Sequence, residues 1–286
     1  MDFPNYFADA DSDFKDSDYV IVGMPYDKTS SFRRGARHGP KEIRQASWNF
    51  ETFNLFTGKD LKDYKIHDYG DLDITDDKPA DMITKVKDST SNILKDGKIP
   101  ISIGGEHSIT SGIIQAFPED IAVISFDAHM DFRNTYEHEK YNHACVMRRI
   151  SEHVDIKNIF LIGVRSADKE EFEEAKKQGL KFYNSLKIQE NGIKQSCDEI
   201  KKNIKDKKVY ITLDIDAIDP AYAPGTSTPE PFGLLPIDII KVIKFFSSQI
   251  IGFDLVEVCP DYDNGETALL AAKIIRNIIE MIPAKN

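Results

Sequence analysis

The chain has 286 residues, 41% of them hydrophobic and 30% charged, which is enough apolar material for a large buried core. Its 37 basic and 48 acidic residues give a net charge of −11, so nucleic acid and anionic membranes are disfavoured as partners. The three cysteines are widely spaced, and no leader-like or membrane-length apolar segment is found, which predicts a cytoplasmic protein without a disulfide framework.

Apolar runs alternate with helical patterns along the chain. Eight short runs, most of them apolar and rich in β-branched residues, predict strands at residues 19–23, 66–69, 99–103, 121–126, 158–163, 181–183, 209–213 and 250–258. Helix signals follow most of them, from Pro40 and at residues 81–95, 147–150, 168–178, 193–204, 236–246 and 266–282. The alternation predicts an α/β fold with a mainly parallel eight-stranded sheet, doubly wound and open rather than closed into a barrel. Because no linker divides the chain, we expect one domain over residues 1–286.

Potential metal ligands follow two of the predicted strands. Asp127, His129 and Asp131 recur at every second position, so an extended backbone would direct all three to one side. Asp214 and Asp216 repeat this arrangement in the second half of the chain. A single Asp in such a place usually caps a helix or solvates a loop. Five ligand-type residues in two parallel patterns favour a bound cation, because packed like charges are costly without one.

His107 completes this set, since it follows a glycine pair at the end of another predicted strand. In a parallel sheet the carboxyl ends of the strands meet at one edge, so these residues should be neighbours. Two imidazoles and four carboxylates suffice for two divalent ions, and oxygen-dominated ligation favours manganese. Two ions predict hydrolysis by activated water, with a structural metal site or a two-metal phosphoesterase as alternatives. Nearby loops rich in carboxylates favour a cationic substrate.

The segment between the first strand and the first helix is unusually long and contains Arg33, Arg34 and Arg37. Loops of this length usually serve a site or an interface. The arginines could bind an anion, or they could form salt bridges at the surface. The sequence leaves this choice open.

Three motifs together resemble the signatures of the ureohydrolases, the arginase and agmatinase family. They are Gly-Gly-Glu-His-Ser at 104–108, Ser-Phe-Asp-Ala-His-Met-Asp at 125–131 and Leu-Asp-Ile-Asp-Ala-Ile-Asp-Pro at 213–220. The resemblance implies an arginase-like three-layer αβα domain, a homotrimer or homohexamer, and two Mn²⁺ ions held by the six residues His107, Asp127, His129, Asp131, Asp214 and Asp216. The chain departs from the commoner family pattern at Glu106, Ser227 and Phe232, where many members have Asp, Gly and Gly.

The same resemblance implies roles for three residues. His143 corresponds to a mobile histidine that transfers a proton to the leaving amine, and Glu257 to the carboxylate that binds the guanidinium. Asp131 would take up a proton from the collapsing intermediate as well as bind metal.

Two acidic residues suggest which substrate is used. Glu137 and Glu139 would repel the carboxylate of arginine and attract a free amine. We therefore expect hydrolysis of agmatine to putrescine and urea, a reaction of polyamine biosynthesis, with aminopropylagmatine or arginine as alternative substrates. An inactive scaffold homologue is a further alternative, although all six ligand positions are filled.

Overall fold

The computed structural model describes residues 3–118 and 120–284. Within them, ten strands occur: β1 (Tyr19–Met24), β2 (Phe53–Asn54), β3 (Lys59–Asp60), β4 (Ile66–Asp71), β5 (Ile99–Gly104), β6 (Ala122–Phe126), β7 (Ile159–Val164), β8 (Lys181–Asn184), β9 (Val209–Asp214) and β10 (Ile250–Val256). The α-helices of these residues are α1 (Gly39–Ser47), α2 (Pro79–Lys95), α3 (Thr110–Ile114), α4 (Val146–Ile150), α5 (Lys169–Gln178), α6 (Ser185–Asn191), α7 (Ile193–Ile204), α8 (Pro236–Phe246) and α9 (Glu266–Met281).

Eight of these strands form one sheet in the order β4-β1-β5-β10-β9-β6-β7-β8. Every pairing within it is parallel. The predicted open, doubly wound parallel sheet is therefore confirmed. The remaining strands, β2 and β3, pair only with each other as an antiparallel hairpin, and their two-residue length gives no alternation that a sequence pattern could detect.

Alternate residues of the central strands enter different apolar layers. Tyr19 and Ile21 of β1 belong to the layer that includes α1, α6, α7, α8 and α9, whereas Val20 and Val22 belong to the layer that includes α2, α3, α4 and α5. The strands are thus covered on both faces, which is why they read as continuous apolar runs in the sequence.

Local signals explain which helices the sequence predicts. Helix α5 begins after Asp168, whose carboxylate accepts hydrogen bonds from the N–H groups of Glu170 and Glu171, and it ends at Gly179 in the left-handed conformation. The sequence patterns do not predict α3 or α6, which have only five and seven residues. Within the described residues, no helix has the length and apolar character needed to span a membrane.

Candidate metal centre and cavity

The candidate ligands meet at the carboxyl ends of β5, β9 and β6, which lie in the middle of the sheet. Nδ1 of His107 is 3.2 Å from Oδ2 of Asp127, 3.3 Å from Oδ2 of Asp131 and 3.5 Å from Oδ2 of Asp214. Nδ1 of His129 is 3.0 Å from Oδ2 of Asp216 and 3.6 Å from Oδ1 of Asp127. The structure therefore brings all six predicted ligands together.

Two groups of ligand atoms can be distinguished, each within 4.8 Å. One contains His107, Asp127 and Asp214, and the other contains Asp127, His129 and Asp216. Because Asp127 belongs to both groups, it would help to hold both cations of a two-metal centre.

The backbone after β6 differs from the extended course assumed in the sequence analysis. Strand β6 ends at Phe126, and Asp131 has a φ of 48°, in the left-handed region. Asp131 thus reaches His107 because the chain turns, and not because of a two-residue repeat. A left-handed backbone in a non-glycine residue costs of order 1–3 kcal/mol and is held by its surroundings. Here the carbonyl of Asp131 accepts a hydrogen bond of 2.9 Å from the N–H of Met147.

His107 is oriented from behind by a buried chain of hydrogen bonds. Its Nε2 lies 3.0 Å from Oγ1 of Thr212, and the hydroxyl of Thr212 donates to Oδ1 of Asp254 at 2.6 Å. The Thr212 proton is used by Asp254, so the Thr212 oxygen accepts the Nε2–H of His107. The Nδ1 lone pair is thereby directed at the carboxylates. Tyr210 and Thr110 also donate to Asp254, at 2.7 and 3.1 Å.

The donor set fits divalent cations. Nδ1 of His107 and Oδ2 of Asp127 are buried without a hydrogen-bond partner among the described residues, and such atoms are costly unless something binds them. Burial and the charge of Asp127 raise the pKa of Asp131 to about 7. Burial and the charge of Asp216 raise the pKa of Asp214 well above its usual value. Bound cations would relieve this crowding of negative charge.

Glu257 lies beside the ligands at the end of β10. Only 3% of its surface is exposed, and its φ of 66° is again left-handed. The carboxylate accepts the main-chain N–H of His107 at 2.7 Å and the hydroxyl of Ser227. Burial raises the pKa of Glu257 to about 8, although the Ser227 hydrogen bond opposes this effect.

A cavity of about 160 Å³ opens next to this centre. Its lining includes His129, Asp131, Asp214 and Glu257, together with Ser31, Arg133, Tyr136, His143, Ala144, Ser166, Ala167, Asp168, Glu171 and Thr228. The Nδ1 and Nε2 atoms of His143 lie 3.4 Å from the hydroxyls of Thr29 and Ser31. Burial lowers the pKa of His143 to about 4, so the ring is neutral at pH 7.

The residues that line the cavity away from the candidate metal ligands, here called its outer wall, differ from those expected. Glu137 and Glu139 are not among its lining residues, and the Glu139 carboxylate accepts the N–H of Tyr141 at 2.9 Å. Asp168 and Glu171 provide the acidic groups instead. The role of Glu137 and Glu139 in substrate binding stays a prediction that this geometry does not support.

Two further residues hold the ligand loops and were missed in the sequence. Arg165 donates from Nη2 to the main-chain carbonyls of Asp216 and Glu230, at 2.7 and 2.6 Å. The hydroxyl of Thr228 donates to Oδ2 of Asp216 at 3.1 Å. In the sequence, Arg165 lies just after a predicted strand, and Asp168 is predicted only as a helix start.

A model of the arginase family matches residues 17–280. The chain belongs to the arginase family. The crystal structure of agmatine ureohydrolase of Thermoplasma volcanium is 41% identical and has a TM-score of 0.94, over 98% of this chain and 95% of that one. Agmatinase of Bacillus subtilis is 35% identical, over 93% of this chain and 92% of its own. N(1)-aminopropylagmatine ureohydrolase of Thermococcus kodakarensis is 34% identical, over 90% and 88%.

Membership of the arginase family decides between the reaction types that the sequence left open. The protein is a ureohydrolase, an enzyme that hydrolyses a C–N bond of a guanidino group. The family resemblance carried by the three motifs is thereby confirmed. The relatives are named for related guanidino compounds, so the choice of substrate depends on the residues that line the cavity.

Proposed function

We propose that this arginase-family enzyme hydrolyses agmatine to putrescine and urea at a centre of two divalent metal ions. One observation carries the proposal: candidate metal ligands, Glu257 and His143 line the same cavity, and carboxylates form its outer wall. A guanidinium fits the inner end and a free amine the outer end, because both are cationic.

The metal ions would be held by the six ligands predicted from the sequence, which are His107, Asp127, His129, Asp131, Asp214 and Asp216. Two imidazoles and four carboxylates suit Mn²⁺, which accepts mixed nitrogen and oxygen donors. When bound, such ions make hydroxide available near neutral pH.

Glu257 would orient the substrate. Its carboxylate is fixed on one oxygen by the N–H of His107 and on the other by the hydroxyl of Ser227. Each carboxylate oxygen has two lone pairs, so both can still accept from a planar guanidinium. Fixing the carboxylate before the substrate binds lowers the entropic cost of orienting the guanidinium.

Two residues would move protons. Asp131 would take up a proton from the collapsing intermediate, as the family resemblance implies. His143, neutral because burial lowers its pKa to about 4, can accept a proton and pass it to the leaving amine.

The outer wall favours an amine over a carboxylate, although Arg133 lies there too. Nε of Arg133 is 3.4 Å from Oε2 of Glu171, and its guanidinium is 4.7 Å from the ring centre of Tyr136. Arg133 is thus neutralised by Glu171, and Asp168 leaves the wall with a net negative charge. Aminopropylagmatine, the compound in the name of the Thermococcus kodakarensis relative, also ends in an amine and is the second candidate.

Urea release from agmatine, aminopropylagmatine and arginine, measured in parallel, tests this proposal. The enzyme is first treated with a chelator and then assayed with and without Mn²⁺. We expect urea from agmatine only after Mn²⁺ is added. Preference for arginine would contradict the interpretation of the cavity wall, and equal activity without metal would contradict the metal centre.

The resemblance to the family further suggests a homotrimer or homohexamer in the cytoplasm that acts in putrescine biosynthesis. Sedimentation of the purified protein measures the assembly directly. A monomer at micromolar concentration would contradict this part of the proposal.

A further inference from the structure

The loop between β1 and α1, residues 25–38, borders the cavity and contacts His143. Ser31 lines the cavity, and the hydroxyls of Thr29 and Ser31 each lie 3.4 Å from a ring nitrogen of His143. The main-chain N–H of His143 also donates to Oγ1 of Thr29 at 3.0 Å. Both the ring and the backbone of His143 therefore lie against this loop.

Two of the loop's arginines have partners within the protein. Nη2 of Arg37 is 2.6 Å from Oδ1 of the buried Asp27, whose other oxygen accepts the N–H of Gly35 at 3.0 Å. The guanidinium of Arg33 is 4.8 Å from the ring centre of Tyr262. The first contact shapes the loop internally, and the second joins it to the segment after β10. Neither connects the loop to the turn after β5.

Glu106 makes that connection from the turn after β5. Its side chain is 0% exposed, and its carboxylate accepts from the N–H and the hydroxyl of Thr29 at 2.8 and 2.5 Å. It also accepts from the hydroxyls of Ser30 at 3.3 Å and Ser108 at 2.6 Å. A buried carboxylate needs such donors because water cannot solvate it. Three of the four donors come from the loop, so the loop and the carboxylate hold each other in place.

The backbones of the loop and the turn are also in close contact. A Cβ at Gly105 would lie 2.0 Å from the carbonyl oxygen of Tyr26, and the N–H of Glu106 donates to that oxygen at 2.7 Å. The distance between loop and turn is therefore fixed. An aspartate at position 106, which is common in the family, would withdraw the carboxylate by about one C–C bond, ~1.5 Å.

We propose that Glu106 is a positioning residue that holds the loop at 25–38 against the turn after β5, so that Thr29 fixes His143 beside the cavity. Glu106 does not line the cavity, so it acts through Thr29 rather than on the substrate. The inference rests on the proposed function, because it assigns Glu106 an effect on the reaction through His143.

A double-mutant cycle on kcat tests the coupling to His143. Glu106→Gln keeps the size of the side chain. It replaces one carboxylate oxygen, which accepts hydrogen bonds, with an NH₂ group, which can only donate them. We expect kcat for agmatine to fall about 10- to 100-fold, the usual effect of losing a charged hydrogen bond, with Mn²⁺ content unchanged. In a His143→Ala background the same change should cost less than about twofold. An equal loss of kcat in both backgrounds would overturn the inference.

Trypsin cleavage after Arg33 and Arg34 reports on the loop without any assay of activity. In Glu106→Gln, cleavage should be about tenfold faster or more, because the loop opens more often. Thr29→Val should behave likewise, whereas Thr29→Ser should resemble the wild type. Unchanged cleavage of Glu106→Gln and Thr29→Val would overturn the inference even if both variants lose activity.

Glu280→Gln serves as the matched control. Glu280 is also a buried glutamate that holds a loop, since it accepts from Asn54 at 2.5 Å and Thr57 at 2.7 Å, but it does not line the cavity. Its replacement should alter neither kcat nor cleavage after Arg33 and Arg34. If His143→Ala itself leaves kcat unchanged, the proposed reaction is wrong at that step, and the cleavage rates alone decide whether Glu106 holds the loop.

Discussion

Asp127 and Asp131 are neighbours in the candidate metal centre but differ in acidity. Burial disfavours the charge on Asp127, yet the neighbouring imidazoles of His107 and His129 outweigh burial and lower its pKa to about 2. Burial and the negative charge of Asp127 instead raise the pKa of Asp131 to about 7. Before a cation binds, Asp127 is therefore charged near neutral pH, whereas Asp131 is partly protonated.

Metal binding should weaken as the pH falls. Below about pH 7 Asp131 is mostly protonated, and a cation must displace that proton before it can bind. Each displaced proton raises the apparent dissociation constant about tenfold per pH unit below the pKa. Titration with Mn²⁺ against a competing chelator, at several pH values on both sides of 7, measures this dependence. A dissociation constant that does not change with pH would contradict it.

Replacement of His143 by alanine should lower kcat without loss of metal. A positioned acid–base group contributes about 10²- to 10⁴-fold, and His143 is not part of either ligand group. Urea release and Mn²⁺ content are the two measurements. His138→Ala, which removes an exposed histidine from the same loop, is the control and should behave like the wild type. Equal activity of the two variants would remove His143 from the reaction.

At the scale of the elements, four adjacent strands carry a row of buried polar side chains below the ligands. Ser102 of β5 pairs with Asp254 of β10, Asp254 with Thr212 of β9, and Thr212 with Ser125 of β6. All four residues are 0% exposed. Since side chains two residues apart share a face of a strand, this row lies directly below Asp214 and Asp127.

Thr212→Val should weaken metal binding, because Nε2 of His107 loses the acceptor that fixes its orientation. Loss of a group that orients a metal-binding histidine typically costs 10- to 100-fold in affinity. Thr212→Ser should restore binding. Ser125→Ala removes a buried hydroxyl from the paired position on β6, and this hydroxyl has no partner among the described residues. If Ser125→Ala weakens Mn²⁺ binding as much as Thr212→Val does, the role of Thr212 is wrong.

At the scale of the whole molecule, the candidate centre joins strands that are far apart in the sequence. His107 follows β5, Asp127 follows β6, Asp214 ends β9 and Glu257 follows β10, and these four strands are neighbours in the order β5-β10-β9-β6. A cation bound there would link both halves of the chain and would reduce repulsion between buried carboxylates. Metal binding should therefore affect the stability of the entire fold.

Removal of metal should lower the melting temperature of the protein. Metal at 100 times its dissociation constant stabilises a folded protein by about 2.7 kcal/mol per site, which corresponds to about 5 °C or more for a chain of this size. Calorimetry before and after chelation, with Mn²⁺ added back, measures the change. Asp127→Asn removes the carboxylate shared by both ligand groups and should abolish the metal-dependent change in melting temperature. The same metal-dependent rise in this variant would contradict a centre built on Asp127.

The sequence by itself determined the eight strands, the doubly wound parallel sheet and the six candidate ligands. Short local patterns indicate these features, because strands buried on both faces appear as apolar runs and the carboxylates follow directly at their ends. Only the tertiary structure decided that β5, β10, β9 and β6 are neighbours, since crossover connections leave the lateral order of parallel strands free. It also decided that Asp131 turns to reach His107, that Glu171 rather than Glu137 lines the cavity, and that Glu106 holds a loop 76 and 77 residues away. These features depend on hydrogen bonds and packing between distant parts of the chain, which no local pattern encodes.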